Sequence, residues 1–410
     1  MMPILNIPRF RPTASFREAL AFCRTLLPGV RDPVGDFTAG LSNGALVGNP
    51  VVLAPSARIA LYWLLKTLGL GPGDQVITQA FNFPAVPAAI CATGAEPRFL
   101  DLRPGTFEAD WTTLEGAIGD RTKAVIATHL YGNPVDLATM KEVCDSRGII
   151  LIEDCAQAIG ATAGKRRVGT VGEGAFFSLG PTKNLTLLGG GAVSTVDQNR
   201  FHRLEEMAGR HALLGVVSSF KLGAKAAAMA VATHPLVFTT TLMPVLRWFE
   251  RRGADLVHTV MKETPGLLTG IETARLPSRQ MAAVGVAQLT RLEATNRARV
   301  RNGWYLRSRL AGIPDLVVPP MRTGSVFMSF PVLHPKREAL ARELRRRGVD
   351  TDFGFMADCS KIEAYGSTGG PCPNAERTAR EILHLPVHPF LRKRQMDRIA
   401  TAVRDVLRVI

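Results

Sequence analysis

The fold turns on Phe177-Ser178-Leu179-Gly180-Pro181-Thr182-Lys183-Asn184-Leu185, followed by Gly189-Gly190-Gly191. Upstream stands Ile152-Glu153-Asp154-Cys155-Ala156-Gln157, an acidic pair at the end of an apolar run. Taken singly, neither stretch decides anything. A lysine in a Gly/Pro/Thr loop is ordinarily solvated, and a strand-end Asp ordinarily caps the next turn. The surroundings give them weight. Short β-rich runs recur at 75–78, 98–100, 124–128, 149–153, 174–178 and 191–196. Helical patterns lie between, at 56–68, 85–93 and 137–147. The first of these runs into Gly69-Leu70-Gly71-Pro72-Gly73, a strong stop signal. Alternation of this kind predicts an α/β domain with a mixed, mostly parallel sheet between helices. Ligands of such sheets collect at the carboxyl ends of the strands, where both Asp154 and Ser178 fall.

Composition bounds the rest. The chain has 410 residues, 46% hydrophobic and 21% charged. That length suits a large domain and a smaller one, and the balance excludes disorder as the main state. The six cysteines form no CxxC pair, which argues against a zinc site and for reduced, cytoplasmic thiols. The N-terminal apolar run is short and broken by Arg9 and Arg11, so no signal peptide is expected. The net charge is +15, a field that attracts anions. No helix-turn-helix, zinc finger or aromatic-basic interleaving accompanies it, so nucleic acid is not the expected partner. Beyond about residue 280, 288–309 reads as one long charged helix. Arginine-rich helices follow at 336–347 and 375–382, with strand candidates at 327–332 and 383–385. The expected organisation is an N-terminal segment (1–45), a large domain (46–275) and a small α+β domain (276–410).

In order and spacing, the strand-end Asp154, the Ser178-to-Lys183 loop and the Gly-rich turn resemble the PLP-dependent aminotransferases of fold type I. More closely, they resemble the DegT/DnrJ/EryC1/StrS family of sugar aminotransferases. Gly73-Asp74-Gln75-Val76-Ile77 with Phe81-Asn82-Phe83 looks like that family's "GDEVI…FTF". His129-Leu130-Tyr131-Gly132-Asn133-Pro134 looks like its "HLYGxP", and Arg167-Val168-Gly169-Thr170 matches its "RVGT". The helix Ala282–Leu289 and Leu385-Pro386-Val387-His388-Pro389 extend the resemblance to the C-terminal region.

The resemblance implies pyridoxal 5'-phosphate as cofactor and no metal. Lys183 would hold the cofactor covalently and then move a proton. Asp154 would face the pyridine nitrogen, Phe83 would stack on the ring, and Gln157 would lie near its O3′ side. Ser178 would join a phosphate cup at a helix N-terminus. There Ala57 and Arg58 stand where the family carries Gly-Thr. The implied reaction moves an amino group from L-glutamate to a nucleotide-linked keto-sugar, for surface polysaccharide or glycoconjugate synthesis, in a homodimer with shared sites. Retention of Lys183 argues against the family's dehydratase branch, which has histidine there. A lipid-linked or apolar acceptor, and a non-catalytic regulator, stay open as alternatives.

The sequence also departs from the family. The family's "GEGG" reads Leu188-Gly189-Gly190-Gly191 here, so its acidic residue is gone, and near Arg275-Leu276 the partner-reaching "NYRM" loop is blurred. An apolar insert falls at about 212–262. Within it, 226–246 carries no charged side chain, while Lys221, Lys225, Arg247, Arg251 and Arg252 flank it. His234-Pro235, Thr239–Thr241 and Pro244 are expected to break a single helix. Buried helices in a core or subunit interface, contact of 222–252 with an anionic membrane, and a true span are the open readings.

Overall fold

A computed structural model describes residues 5–13, 15–29, 31–250, 252, 268–366 and 369–410. Arg251 and the end of the expected insert, 253–262, lie outside the described residues. Seven strands form the main sheet: β1 (Val51–Ala54), β2 (Gln75–Gln79), β3 (Glu96–Leu100), β4 (Thr122–Thr128), β5 (Ile150–Asp154), β6 (Gly174–Ser178) and β7 (Gly191–Ser194). Their spatial order is β1-β7-β6-β5-β4-β2-β3. The run from β6 to β3 is parallel, and β7 and β1 close that edge antiparallel. The mixed, mostly parallel sheet expected from the alternation is therefore present. The inner strands are buried on both faces, as strands covered by helices must be.

The first large helix, Ala57–Thr67, starts where Ser56 caps it by accepting a hydrogen bond from Ile59 N–H. It ends at Gly69, whose φ of +80° only glycine adopts readily. Trp63, Leu64 and Leu61 on this helix are buried against the sheet together with Val76, Ile126 and Ile152.

The expected single helix over 288–309 is two helices. Arg279–Leu289 ends at Thr290, and Leu292–Leu310 begins after Arg291. Arg291 does not propagate a helix here. Its guanidinium turns toward the N-terminal segment, donating to Thr13 O and pairing with the buried Glu18. Near the chain end, β8 (Phe330–Leu333) and β9 (Ile382–Leu385) pair antiparallel, and the helices Arg337–Arg346 and Lys393–Leu407 pack on the same cluster.

The N-terminal segment is fastened to this C-terminal part. Ile7 bridges Val349, and Arg9 makes a two-pronged ion pair with Asp350 at 2.7 and 2.8 Å. Residues 9–13 are thereby held along the edge of the main cavity.

The insert is helical but broken. Val216–Ala232 stops at Thr233-His234, and Pro235 opens the next helix at its first position, where no N–H is needed. Thr239–Thr241 and Pro244 do not end that second helix, contrary to expectation. A π turn spans Phe238–Leu242, and Met243 N–H donates to Phe238 O. The widened turn sits just before Pro244, which cannot make the usual bond. The two limbs meet at a 67° bend, and no single described helix is long and apolar enough to cross a membrane.

Gly285 lets the helix Arg279–Leu289 approach the lysine loop closely. A Cβ there would collide with side-chain carbons of Leu187 and Phe37, both fully buried. Gly285→Val should therefore cost at least about 2 kcal/mol of stability. The measurement is a urea unfolding midpoint, which is expected to fall clearly below the wild-type value.

Candidate active site

The carboxyl ends of β4, β5 and β6 open into a cavity of ≈ 830 Å³. Asp154 is the last residue of β5 and is buried. Its neighbour Glu153 points to the opposite face, as alternate strand residues do. There Glu153 accepts N–H bonds from Gly169 (2.7 Å), Val171 (2.7 Å) and Gly172 (2.9 Å). It also meets His129 Nε2 at 3.1 Å. Because His129 Nδ1 accepts from Val135 N–H, its Nε2 carries the proton and donates to Glu153. Burial alone would raise the Glu153 pKa; the His129 bond and the backbone donors outweigh it and hold the group below its ordinary value. Ligand atoms of His129, Glu153 and Cys155 lie within 4.8 Å of one another, but these bonds already occupy the lone pairs of His129 and Glu153.

Asp154 has fewer partners. Oδ1 accepts from Ala156 N–H at 3.0 Å. Burial pushes its pKa up to about 6, against the pull of that bond, of the charges of His129 and Lys183, and of a hydrogen bond with the Thr128 side chain. Lys183 lies in the loop between β6 and β7, whose shape is set by Leu179. The Leu179 carbonyl accepts from Leu187 N–H, Gly189 N–H and the Thr186 hydroxyl. The Lys183 side chain borders the cavity and so keeps some solvent contact, yet protein surrounds it. Its amine has no hydrogen-bond partner among the described residues. Desolvation pushes it down to about 8, with Asp154 pulling the other way. The two groups are thus close enough for their charges to act on one another.

The other residues singled out in the sequence, Ala57, Arg58, Phe83, Gln157 and Ser178, line the same cavity. Ser56, Ala57 and Arg58 bring the N-terminus of an 11-residue helix to its wall. Gly191 makes this possible, because any side chain there would collide with the Ala57 nitrogen and Ser56 backbone. Gln157 Oε1 accepts from Tyr131 N–H at 2.9 Å, which leaves its amide NH₂ to the cavity. Phe83 follows Phe81-Asn82, a short strand paired with Ala357-Asp358.

Sequence reasoning missed a basic wall. Arg11, Arg299 and His388 also line the cavity. Arg299 is buried, donates to Met328 O at 3.3 Å, and has an Nε with no partner among the described residues. Burial lowers its pKa to about 10. His388 is driven down to about 3 by burial and by the charges of Arg299 and Arg11. A signal did exist. On the helix Leu292–Leu310, Leu292, Asn296, Arg299, Asn302 and Leu306 share the buried register, so polar residues stand in core positions. Arg11 had no comparable signal, because its place depends on the Arg9–Asp350 pair.

The match to known proteins follows this geometry. The model of the DegT/DnrJ/EryC1/StrS aminotransferase family matches residues 44–217 and 260–404. The chain belongs to that family and is an aminotransferase. It is 31% identical over 356 residues to the dTDP-3-amino-3,4,6-trideoxy-alpha-D-glucose transaminase of Streptomyces venezuelae, covering 85% of this chain and 81% of the relative. It is 30% identical to the "Pleiotropic regulatory protein" of Geobacillus stearothermophilus, covering 85% and 82%. Among solved structures, the aminotransferase TlmJ from Streptoalloteichus hindustanus superposes with a TM-score of 0.77 at 27% identity, over 98% of this chain and 99% of that one.

The Asp154 pKa, raised in the fold, makes a signed prediction for cofactor-free protein. In an unfolded chain Asp titrates near 3.9. Protonated Asp154 therefore favours the fold below that pH, and the contribution is lost as the pH rises through about 6. Between pH 4 and pH 7 the loss should be roughly 2 kcal/mol. Asp154→Asn should remove this component, flattening the difference between urea curves taken at the two pH values.

Proposed function

We propose that the chain is a pyridoxal-phosphate-dependent transaminase that takes an amino group from L-glutamate and gives it to a nucleotide-linked keto-sugar for glycan synthesis. The observation that carries the reading is that Asp154, a buried strand-end carboxylate with few partners, and Lys183, a loop amine with no hydrogen-bond partner among the described residues, line one cavity. Membership of the family and its nucleotide-sugar relative support the substrate class.

The residues fit the cofactor. Asp154 needs a cation, and a protonated pyridine nitrogen is one. Lys183, with a pKa near 8, is partly neutral at physiological pH and so can act as nucleophile and base. The N-terminus at Ser56–Arg58 and the Ser178 hydroxyl offer donors to a phosphate. Phe83 offers an apolar ring face and the Gln157 NH₂ a donor to a ring oxygen. Pyridoxal phosphate, when bound, supplies the electron sink for a carbanion at the donor Cα.

The chain's own groups do the rest. Lys183 would take the Cα proton of the amino donor and hold it for return, and would give up a proton at the matching carbon of the keto acceptor. Asp154 would be held ionised by a cationic ring nitrogen and would in turn keep that nitrogen protonated. Arg299 and Arg11 supply positive charge for the carboxylates of glutamate and the diphosphate of the sugar nucleotide. A homodimer with shared sites belongs to the same reading, as does peripheral contact with an anionic membrane through 222–252.

Two experiments test this. Purified protein reconstituted with pyridoxal phosphate should show a visible absorbance band that bleaches on adding L-glutamate and returns with a nucleotide keto-sugar. Lys183→Ala should lose the band and lower turnover at least about 10³-fold. A protein that binds the cofactor yet never bleaches would be a regulator instead. Arg299→Gln should raise KM for glutamate more than for L-alanine, read from initial rates with both donors.

A further inference from the structure

The family match stops at 217 and resumes at 260, so the helical insert lies between its two matched parts. Its inner faces are already occupied. On the first limb Ser219 Oγ donates to Ser278 Oγ at 2.8 Å, and Ala226 is buried beside Phe22 and Val284. On the second limb Phe238, Met243 and Leu246 form a small buried cluster. The Thr239 hydroxyl accepts from Asn6 N–H at 2.7 Å. Arg247 donates to the carbonyls of Arg345 and Arg346 at the end of a C-terminal helix. The insert is therefore fixed to the body at several points.

Its outer face is apolar and, among the described residues, uncovered. Val217, Phe220, Ala224, Ala227, Ala228 and Val231 are all exposed. At helical spacing they form one stripe about 100° wide on the side away from Ser219 and Ala226. Lys221 and Lys225, both exposed, border the same edge of that stripe. On the second limb Leu236, Val245 and Trp248 are exposed, and the Arg252 guanidinium lies 3.6 Å from the Trp248 ring centroid. No acidic residue occurs anywhere from Met207 to Phe249.

We propose that this outer face seats the protein on an anionic lipid surface. Charge complementarity selects that occupant. A lipid bilayer offers apolar chains for the stripe and headgroup phosphates for the lysines at its border. A second copy of the chain is the poorer fit. A two-fold contact sets the same patch against itself, and lysines would face lysines with no acid in the stretch to pair them. Trp248 beside a guanidinium matches the chemistry of the membrane–water boundary. Because the inner faces of both limbs are already packed on the body, only the outer face is left to meet the surface, on which the insert would lie.

The test uses the full chain and vesicles of phosphatidylcholine with or without phosphatidylglycerol. Wild-type protein should co-sediment with the anionic vesicles, weakly or not at all with the neutral ones, and less as salt is raised. Lys221→Gln with Lys225→Gln should weaken binding roughly thirtyfold. Val217→Asp with Val231→Asp should abolish it, with transamination in solution and the thermal midpoint unchanged. Trp248 emission should shift to the blue on adding anionic vesicles, and Trp248→Phe should lose that shift. Absence of co-sedimentation at low salt overturns the proposal. So does a Val217→Asp, Val231→Asp protein that binds vesicles as before but turns from dimer to monomer, which would make the face a subunit interface. Neither outcome depends on the identity of the acceptor.

Discussion

The site depends on one buried carboxylate that does no chemistry in it. Glu153 is fully enclosed, yet three backbone N–H groups and the His129 imidazole converge on it. An ionised carboxylate in such a place is tolerated only when its lone pairs are met. Meeting them fixes the loop 169–172 and the turn after β4 against the end of β5. Strand alternation then leaves Asp154 no choice but the other face, toward the cavity. His129 N–H donates to Asp154 O, so the same assembly also holds the Asp154 backbone. The two acids of one dipeptide thus have opposite natures: one saturated and held ionised, one short of partners and pushed toward neutrality.

That contrast organises the cavity. A protein spends stability to keep Asp154 and Lys183 poorly solvated and incompletely bonded, and functional groups are where such costs concentrate. The lysine loop is rigid although it is a loop, because the Leu179 carbonyl takes three donors and Gln288 Oε1 takes the Thr186 N–H. Asn184 is tied to Asn296, which in turn donates to Ile159 O. The helix Leu292–Leu310 therefore reaches into both the lysine loop and the turn after Asp154. Arg299 on that helix carries the fixed positive charge. The anion-attracting character implied by the +15 charge is focused there and on Arg11, while the lysines of the insert carry another part of it outward.

Most of the main sheet was legible because periodicity and turn chemistry are local. β6 was read to its limits, and β2, β3, β4 and β5 to within two residues at each end. Ser56, Gly69 and Pro235 act as punctuation for reasons that need no tertiary context. The break at Thr290-Arg291 was not legible. Nothing local forbids helix there, and the cause is a long-range pull on Arg291 from Thr13 and the buried Glu18. The π turn before Pro244 was likewise hidden, since a proline normally signals an ending and only the geometry of Phe238–Met243 shows how the chain absorbs one.

The sequence by itself determined the alternating strands and helices, the order of the motifs, and hence the family. These rest on local propensity and on residue types whose chemistry has few substitutes, above all Asp154 and Lys183. Only the tertiary structure decided which groups share the cavity with them. Arg11 arrives from near the N-terminus on an ion pair, Arg299 from a helix whose polar residues occupy core positions, and His388 from the far C-terminal region. It alone also decided that the charge-free insert buries one face and leaves the other open. Both outcomes depend on packing between segments hundreds of residues apart, which no local pattern encodes.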